Sequence, residues 1–260
     1  MKLANRRLAI GALAILVSFA AACTQAGAEK ADDPLQSVMW TEMKEQFFKS
    51  DPIIFDDRVK VSVPRVVEDQ AQVPVTADAR ALAGVKKLVI FADLNPIQHV
   101  ATLGVGKAAP FIALRMKVEQ GTPVRAAALT SDGVWHVGGV LLDAAGGGCS
   151  APAMARKDAD WWDAVGHAQG KLYREVDGSV RVRFRVRHPM DTGLARDNTP
   201  SYFIENLDFR SDSGEQLATL ELREPVSEDP TLTVLVRLPL EDKGLTILGR
   251  DNHVALSGEN

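Results

Sequence analysis

Residues 180–187 read VRVRFRVR, in which four apolar side chains alternate with four arginines. Successive side chains of a β-strand point to opposite faces of its sheet, so this stretch predicts a strand with one buried and one solvated face. The solvated face would carry Arg181, Arg183, Arg185 and Arg187. Such a face is either balanced by acidic neighbours or serves to attract anions or to dock a partner.

The same two-residue period continues through the second half of the chain. Leu232, Val234, Val236 and Leu238 repeat the alternation, and further strands are expected at 202–209 and 217–222. Turn sequences such as Asp177-Gly178 and Ser213-Gly214 separate these stretches. Residues 163–260 are therefore predicted to form an antiparallel β-sandwich.

The first half of the chain has a similar pattern. Val59, Val61 and Val63 alternate with polar residues, residues 112–118 alternate again, and 85–91 is a more continuous apolar run. Short strands with regular turn signals and no helical pattern between them indicate a sandwich. Residues 51–143 are therefore predicted to form a second β-sandwich, with no sequence repeat between the two, so the fold class is mainly β.

The N-terminus has the features of an export signal. Basic residues precede an apolar run at 8–22, and Ala26-Gly27-Ala28 follows as a small-residue cleavage site. Residues 1–28 are predicted to be a signal peptide that directs the protein to the periplasm. Acylation of Cys23, as in a lipoprotein, is the alternative, and only then would the protein attach to a membrane. The net charge of −4 argues against nucleic-acid binding.

Residues 29–50 are predicted to hold one amphipathic helix. Asp33-Pro34 has the residue types of a helix start, and the helix is expected to end before Asp51-Pro52. The spacing of the apolar residues places them on one face of a helix: Leu35, Val38, Met39, Met43 and Phe47. This apolar stripe is expected to pack on the first sandwich, and docking to a partner is the alternative.

Between the two sandwiches, residues 144–162 are rich in glycine and alanine and contain Cys149 after Gly146, Gly147 and Gly148. Glycine loses the most backbone entropy on ordering, so the segment is predicted to be a flexible linker that exposes its thiol. A lone thiol in an oxidising compartment calls for a function. Cys149 is therefore interpreted as a covalent attachment point, and a buried, inert thiol is the alternative.

Several kinds of site are disfavoured. A blue-copper site is not expected, because Cys149 has no histidine close to it in sequence. The histidines of the chain also lack the spacing of metal ligands. Phosphate-loop, dinucleotide and Gly-x-Ser-x-Gly motifs do not occur in the sequence, so no cofactor is expected. A thiol hydrolase needs a rigidly held histidine, which a glycine-rich linker does not provide. We therefore expect a protein without intrinsic catalysis.

The glycine-cysteine segment after a sandwich resembles SoxY of the Sox sulfur-oxidation system, as do Asn95-Pro96 and Ser131-Asp132-Gly133. In the second half, His188-Pro189-Met190-Asp191-Thr192-Gly193 resembles the corresponding segment of SoxZ. The whole chain is similar to fused SoxYZ-like carriers associated with quinoprotein (PQQ-dependent) dehydrogenases. One departure is that Cys149 lies inside the chain, tethered at both ends, whereas the SoxY arm is a free C-terminus.

The resemblance implies two immunoglobulin-like sandwiches and a cysteine that holds sulfur-containing intermediates, derived from thiosulfate or sulfide, for partner enzymes. It also implies that residues 188–193 contact the other half or a partner; a simple turn is the alternative. Expected partners are enzymes of sulfur oxidation and c-type cytochromes, or a PQQ-dependent dehydrogenase system. A protein that only assembles such a dehydrogenase system, with Cys149 incidental or in an intermolecular disulfide, is the competing hypothesis.

Overall fold

The computed structural model describes residues 33–157, 159–239 and 241–252, and the backbone of 255–258. The predicted signal peptide and Cys23 lie outside the described residues. Within the described residues, no helix is both long and apolar enough to span a bilayer.

The first half contributes one helix and eight strands to the described structure. They are α1 (Trp40–Phe47), β1 (Ile53–Phe55), β2 (Lys60–Ser62), β3 (Val73–Asp78), β4 (Val85–Ala92), β5 (His99–Gly104), β6 (Ala108–Met116), β7 (Thr122–Thr130) and β8 (Trp135–Leu142).

The second half follows with two short helical turns and seven described strands. They are a 3-10 helix (Met154–Lys157), α2 (Trp161–Ala164), β9 (Ala168–Arg174), β10 (Val180–Val186), β11 (Ile204–Ser211), β12 (Gln216–Leu222), β13 (Thr231–Val236), β14 (Leu245–Asp251) and β15 (Ala255–Gly258).

The described strands form two sheets that both run through the two halves of the chain. The larger sheet has the order β1-β8-β7-β4-β5-β12-β11-β14-β15, and the smaller has the order β2-β3-β6-β13-β10-β9. The mainly β fold class is thereby confirmed. The halves meet at the antiparallel pairs β5–β12 and β6–β13, so they are joined strand to strand in addition to the connecting segment. This pairing satisfies backbone groups that would otherwise lie on exposed edges.

One hydrophobic core lies between the sheets and crosses the junction of the halves. Leu103 lies opposite Leu220 in the larger sheet, and Ile112 lies opposite Val234 in the smaller one. All four belong to a single cluster of buried side chains. Because apolar burial is the main source of stability, the two halves stabilise each other.

Strand β10 has the predicted two faces. Val180, Val182, Phe184 and Val186 are buried, whereas the arginines at 181, 183 and 185 are exposed. Because the buried residues of β10 belong to the core between the sheets, the arginines lie on the outer face of the smaller sheet.

The N-terminal helix is shorter than predicted. The carboxylate of Asp33 accepts hydrogen bonds from the backbone amides of Leu35 and Ser37, and Gln36 has a φ of 51°. This closes a turn in place of a first helical turn, and α1 begins only at Trp40. The expected packing against the first sandwich is confirmed for Met43, which belongs to an apolar cluster on β4, β7 and β8, whereas Val38 of the predicted stripe precedes the helix and is exposed.

Candidate functional site

Cys149 is buried, with 1% of its surface exposed. The prediction of a solvent-exposed thiol on a slack linker is therefore wrong for this structure. The segment around Cys149 lies between residues 117–119, which follow β6 in the first half, and the loop 188–193, which follows β10 in the second.

The glycines before Cys149 allow this close packing. The N–H of Gly148 donates to Val118 O at 2.9 Å, and the N–H of Gly147 donates to Glu119 O at 3.2 Å. A Cβ added at Gly146 would lie 2.2 Å from Glu119 O, and one at Gly148 would lie 2.1 Å from the backbone oxygen of Gln70. In this structure Gly146 and Gly148 therefore allow the backbone to pack closely against Gln70 and residues 118–119. The sequence pattern instead predicted that these glycines make the segment mobile.

Glu119 binds the cysteine segment with both carboxylate oxygens. Oε2 accepts the backbone N–H of Cys149 and that of Ser150, each at 3.0 Å, and Oε1 accepts the Ser150 hydroxyl at 2.9 Å. Buried Asn95 holds residues 117–119 in place after β6. Its side chain donates to Lys117 O and accepts the N–H of Glu119. Hydrogen bonds to a charged acceptor are among the stronger ones in proteins, so Glu119 is the main polar anchor of the segment.

The His-Pro-Met-Asp-Thr-Gly loop contacts the same segment from the second half. The Thr192 hydroxyl donates to Cys149 O at 2.6 Å. Asp191 accepts two hydrogen bonds from the guanidinium of Arg156, at 2.6 and 2.8 Å. Met190 has a φ of 50° and its backbone oxygen accepts a hydrogen bond from the Lys117 ammonium. The loop therefore joins the two halves at the cysteine.

A second carboxylate anchors the segment further on. Glu228 accepts the backbone N–H groups of Met154 and Ala155, at 2.6 and 2.7 Å, at the start of the 3-10 helix. Helix α2 follows at Trp161–Ala164. Residues 144–162 are therefore a docked segment with local structure in this conformation, where the sequence predicted a flexible linker.

The surroundings of Cys149 suppress its ionisation. Burial, with a smaller contribution from the carboxylate of Glu119, raises the pKa of the thiol to about 12, and the ammonium of Lys117 partly opposes this shift. Lys117 is itself buried, and desolvation lowers its pKa to about 8. Since the thiolate is the reactive form, the docked thiol is a poor nucleophile at neutral pH.

His188 has a structural place in the loop. Its Nδ1 accepts the backbone N–H of Met190 at 3.0 Å, and its ring lies 4.4 Å from that of Tyr202. Burial lowers its pKa to about 4, so the imidazole is neutral at pH 7. Pro189 is buried in the same loop, and Gly193, with a φ of 77°, makes the turn after Thr192. Among the described residues no group of three or more His, Cys, Asp or Glu could hold a metal ion.

Sequence reasoning missed three residues that position the segment: Lys117, Glu119 and Glu228. Lys117 and Glu119 follow β6 and Glu228 precedes β13, all of them distant from Cys149 in sequence. A charged residue at such a place usually faces solvent, so nothing in the chain marks these three.

The comparisons with known proteins divide the chain in two. A family model described as sulfur oxidation protein SoxY matches residues 44–149, and one described as sulphur oxidation protein SoxZ matches residues 171–256. The solved structure of the sulfur carrier protein SoxY from Chlorobium limicola f thiosulfatophilum matches with a TM-score of 0.37 and 22% identity, covering 40% of this chain and 94% of that chain. None of the curated proteins that were compared matches.

Proposed function

Since this chain is a fused SoxYZ-like carrier, with a SoxY and a SoxZ domain in one polypeptide, we propose that it carries a sulfur-containing intermediate on Cys149. The two family matches support a role in sulfur oxidation. SoxY and SoxZ are carrier and interaction proteins. The site of attachment, the cargo, the compartment and the individual partners are the subject of the proposal.

One observation carries the assignment to Cys149. The SoxY match ends at residue 149, after the three glycines, and the SoxZ half contacts that same residue through the Thr192 hydroxyl. Both domains therefore meet at the backbone of Cys149, the residue whose thiol is proposed to hold cargo.

Burial of Cys149 requires two states of the segment. In the docked state the thiol is protonated and shielded, so it neither reacts with stray oxidants nor exchanges with other thiols. For loading, the hydrogen bonds to Glu119 and Thr192 must break. An extended chain covers about 3.4 Å per residue, so a released loop from 144 to 160 reaches roughly 20–30 Å from the body. Partner enzymes would act on this released state.

An anionic adduct would meet one buried cation in the docked site, Lys117, beside the carboxylate of Glu119. A sulfonate or thiosulfonate group on Cys149 adds negative charge, which is costly to bury without a cation. The buried ammonium of Lys117 interacts electrostatically with Cys149 and hydrogen-bonds to Met190 O. Lys117 would therefore offset part of the charge of a thiosulfate-derived adduct, whereas burial and Glu119 would favour release of the loaded segment.

The proposed compartment is the periplasm, reached through the signal peptide expected at residues 1–28, with membrane attachment only if Cys23 is acylated. The proposed partners are enzymes of sulfur oxidation and c-type cytochromes, which would perform the chemistry while this chain holds the intermediate. Delivery to a PQQ-dependent dehydrogenase system is the narrower alternative.

Replacement of the sulfur atom tests the proposal. In the native host, Cys149→Ser should abolish sulfur oxidation that depends on this protein, whereas Ser62→Ala on the exposed strand β2 should leave it unchanged. The protein level of both variants is measured, so that loss of folding is told apart from loss of function. A Cys149→Ser strain that oxidises sulfur compounds like the wild type would contradict the carrier role and favour an assembly role.

A further inference from the structure

The outer face of the smaller sheet carries a group of cations on neighbouring strands. Arg181, Arg183 and Arg185 lie on β10, Lys171 on β9 and Arg115 on β6, and all five are exposed. We call these five residues the basic face. From β9 to β6 the face crosses three strand spacings, or about 14 Å.

The charges on this face are only partly balanced. Arg181 pairs with Glu175 at 2.8 Å, and Arg185 pairs with Asp229 at 2.6 Å. Among the described residues, Arg115, Arg183 and Lys171 have no carboxylate within ion-pair distance. Arg183 lies directly opposite Lys171 in the sheet, and like charges in that position destabilise strand pairing. In a chain of net charge −4, this local excess of cations points to binding.

Three clefts connect the cations into one surface. Their volumes are about 440, 320 and 230 Å³, and Thr231 lines all three. Arg183 is shared by the first and third, and Arg185 by the first and second. The basic face is therefore a continuous, indented surface.

The chemistry of this surface fits an acidic protein best. A small anion would reach only one or two of the cations, because alternate residues of a strand are about 6.6 Å apart. An anionic lipid surface favours an uninterrupted run of cations with apolar groups to insert. Here the cations are interleaved with neutral hydrogen-bonding side chains, such as Thr231 and Gln169, and with Asp229. Such a mixture selects spaced carboxylates on a protein surface.

The basic face also adjoins the cysteine segment. Glu228 lines the second cleft together with Arg115 and Arg185, and the same carboxylate holds the backbone of Met154 and Ala155. A partner bound to the basic face would therefore lie beside the second anchor of the segment.

We propose that the basic face is the docking surface for the acidic face of a partner protein that acts on Cys149. The action of the partner on Cys149 rests on the proposed carrier function. The docking itself depends only on the charges and clefts of the basic face.

Binding of the full chain to poly-L-glutamate tests the proposal, with anionic phospholipid vesicles as a second probe. The variant K171Q/R115Q/R183Q removes the three unpaired cations, and K49Q/K86Q/K87Q removes three exposed lysines elsewhere with the same change in net charge. We expect the first variant to weaken poly-L-glutamate binding about tenfold or more and the second less than about twofold. Higher salt should weaken wild-type binding.

Equal losses in the two variants would overturn the proposal, because net charge alone would then explain binding. Binding to vesicles without binding to poly-L-glutamate would also overturn it, and so would binding to neither. Circular dichroism of each variant checks that the fold is kept. Cys149→Ser keeps the basic face, so its poly-L-glutamate binding should equal that of the wild type whether or not the carrier function holds.

Discussion

Glu119 and Cys149 lie 30 residues apart in sequence, and the Glu119 carboxylate accepts the backbone N–H of Cys149 at 3.0 Å. The same carboxylate raises the pKa of the Cys149 thiol, although burial is the larger cause. Glu119 therefore both holds the segment in place and keeps its sulfur protonated. Loss of this side chain should release the segment and activate the thiol together.

Glu119→Ala should make Cys149 react with iodoacetamide at least about tenfold faster at pH 7.5. The variant loses three hydrogen bonds to a charged acceptor, and a tenfold change in opening corresponds to only about 1.4 kcal/mol. Glu68→Ala removes an exposed carboxylate from the same half and serves as the control. An unchanged alkylation rate in Glu119→Ala would show that the carboxylate does not hold the segment.

Substitutions in the glycine run separate close packing from mobility. Gly148→Ala places a Cβ 2.1 Å from Gln70 O, whereas Gly147→Ala meets nothing within 4 Å and has only the strain of a φ of +85°. Gly148→Ala should therefore expose the thiol to alkylation far more than Gly147→Ala does. If the glycines served mobility alone, both variants would slow the reaction to a similar degree.

The pH dependence of alkylation reports the docked state. The docked thiol has a pKa of about 12, against an ordinary 9.0 for a free one. Docking is thus fully favourable below pH 9 and loses stability as the pH rises toward 12. The alkylation rate should rise tenfold per pH unit from about pH 8 to about pH 10.5. Below pH 9 the rise comes from the growing thiolate fraction of the open state, and above pH 9 from the growing population of the open state itself. A plateau above pH 9 would indicate a permanently exposed thiol.

Arg125 should be important for the stability of the first half. It is buried, donates to Asp33 at 2.7 Å and to Asp93 at 3.0 Å, and lies 4.5 Å from the Trp40 ring. Arg125→Ala leaves two buried carboxylates without their cation and should lower the free energy of unfolding by about 3–5 kcal/mol. Arg58→Ala, which breaks the exposed pair with Asp56, should lower the free energy of unfolding far less. Urea unfolding followed by circular dichroism measures both, and equal losses would contradict the role of Arg125.

The sequence pattern predicts individual strands well where one face is buried. The alternation at 180–187 matches the burial of β10 residue by residue, because the period of two follows from strand geometry. It says nothing about which strands pair at the junction of the halves. The pairs β5–β12 and β6–β13 depend on register and on surfaces far apart in the chain. Strand β9 is exposed at every position, so its sequence gives no alternation to detect.

The position of Cys149 could not be predicted for a different reason. A run of glycines is compatible with a mobile linker and equally with a backbone that packs closely against another chain segment. The partners that decide between these two structures, Gln70 and residues 118–119, precede the glycine run by 27 residues or more. Likewise, Asp33 and Ser37 form a turn through a side chain that a helix-start pattern also contains.

The most direct test of the carrier role is the intact mass of the protein isolated from its host during thiosulfate oxidation. The account predicts a population with added sulfonate or sulfane sulfur on Cys149, removed by a reducing agent and missing in cells without thiosulfate. A uniformly free thiol under both conditions would contradict it.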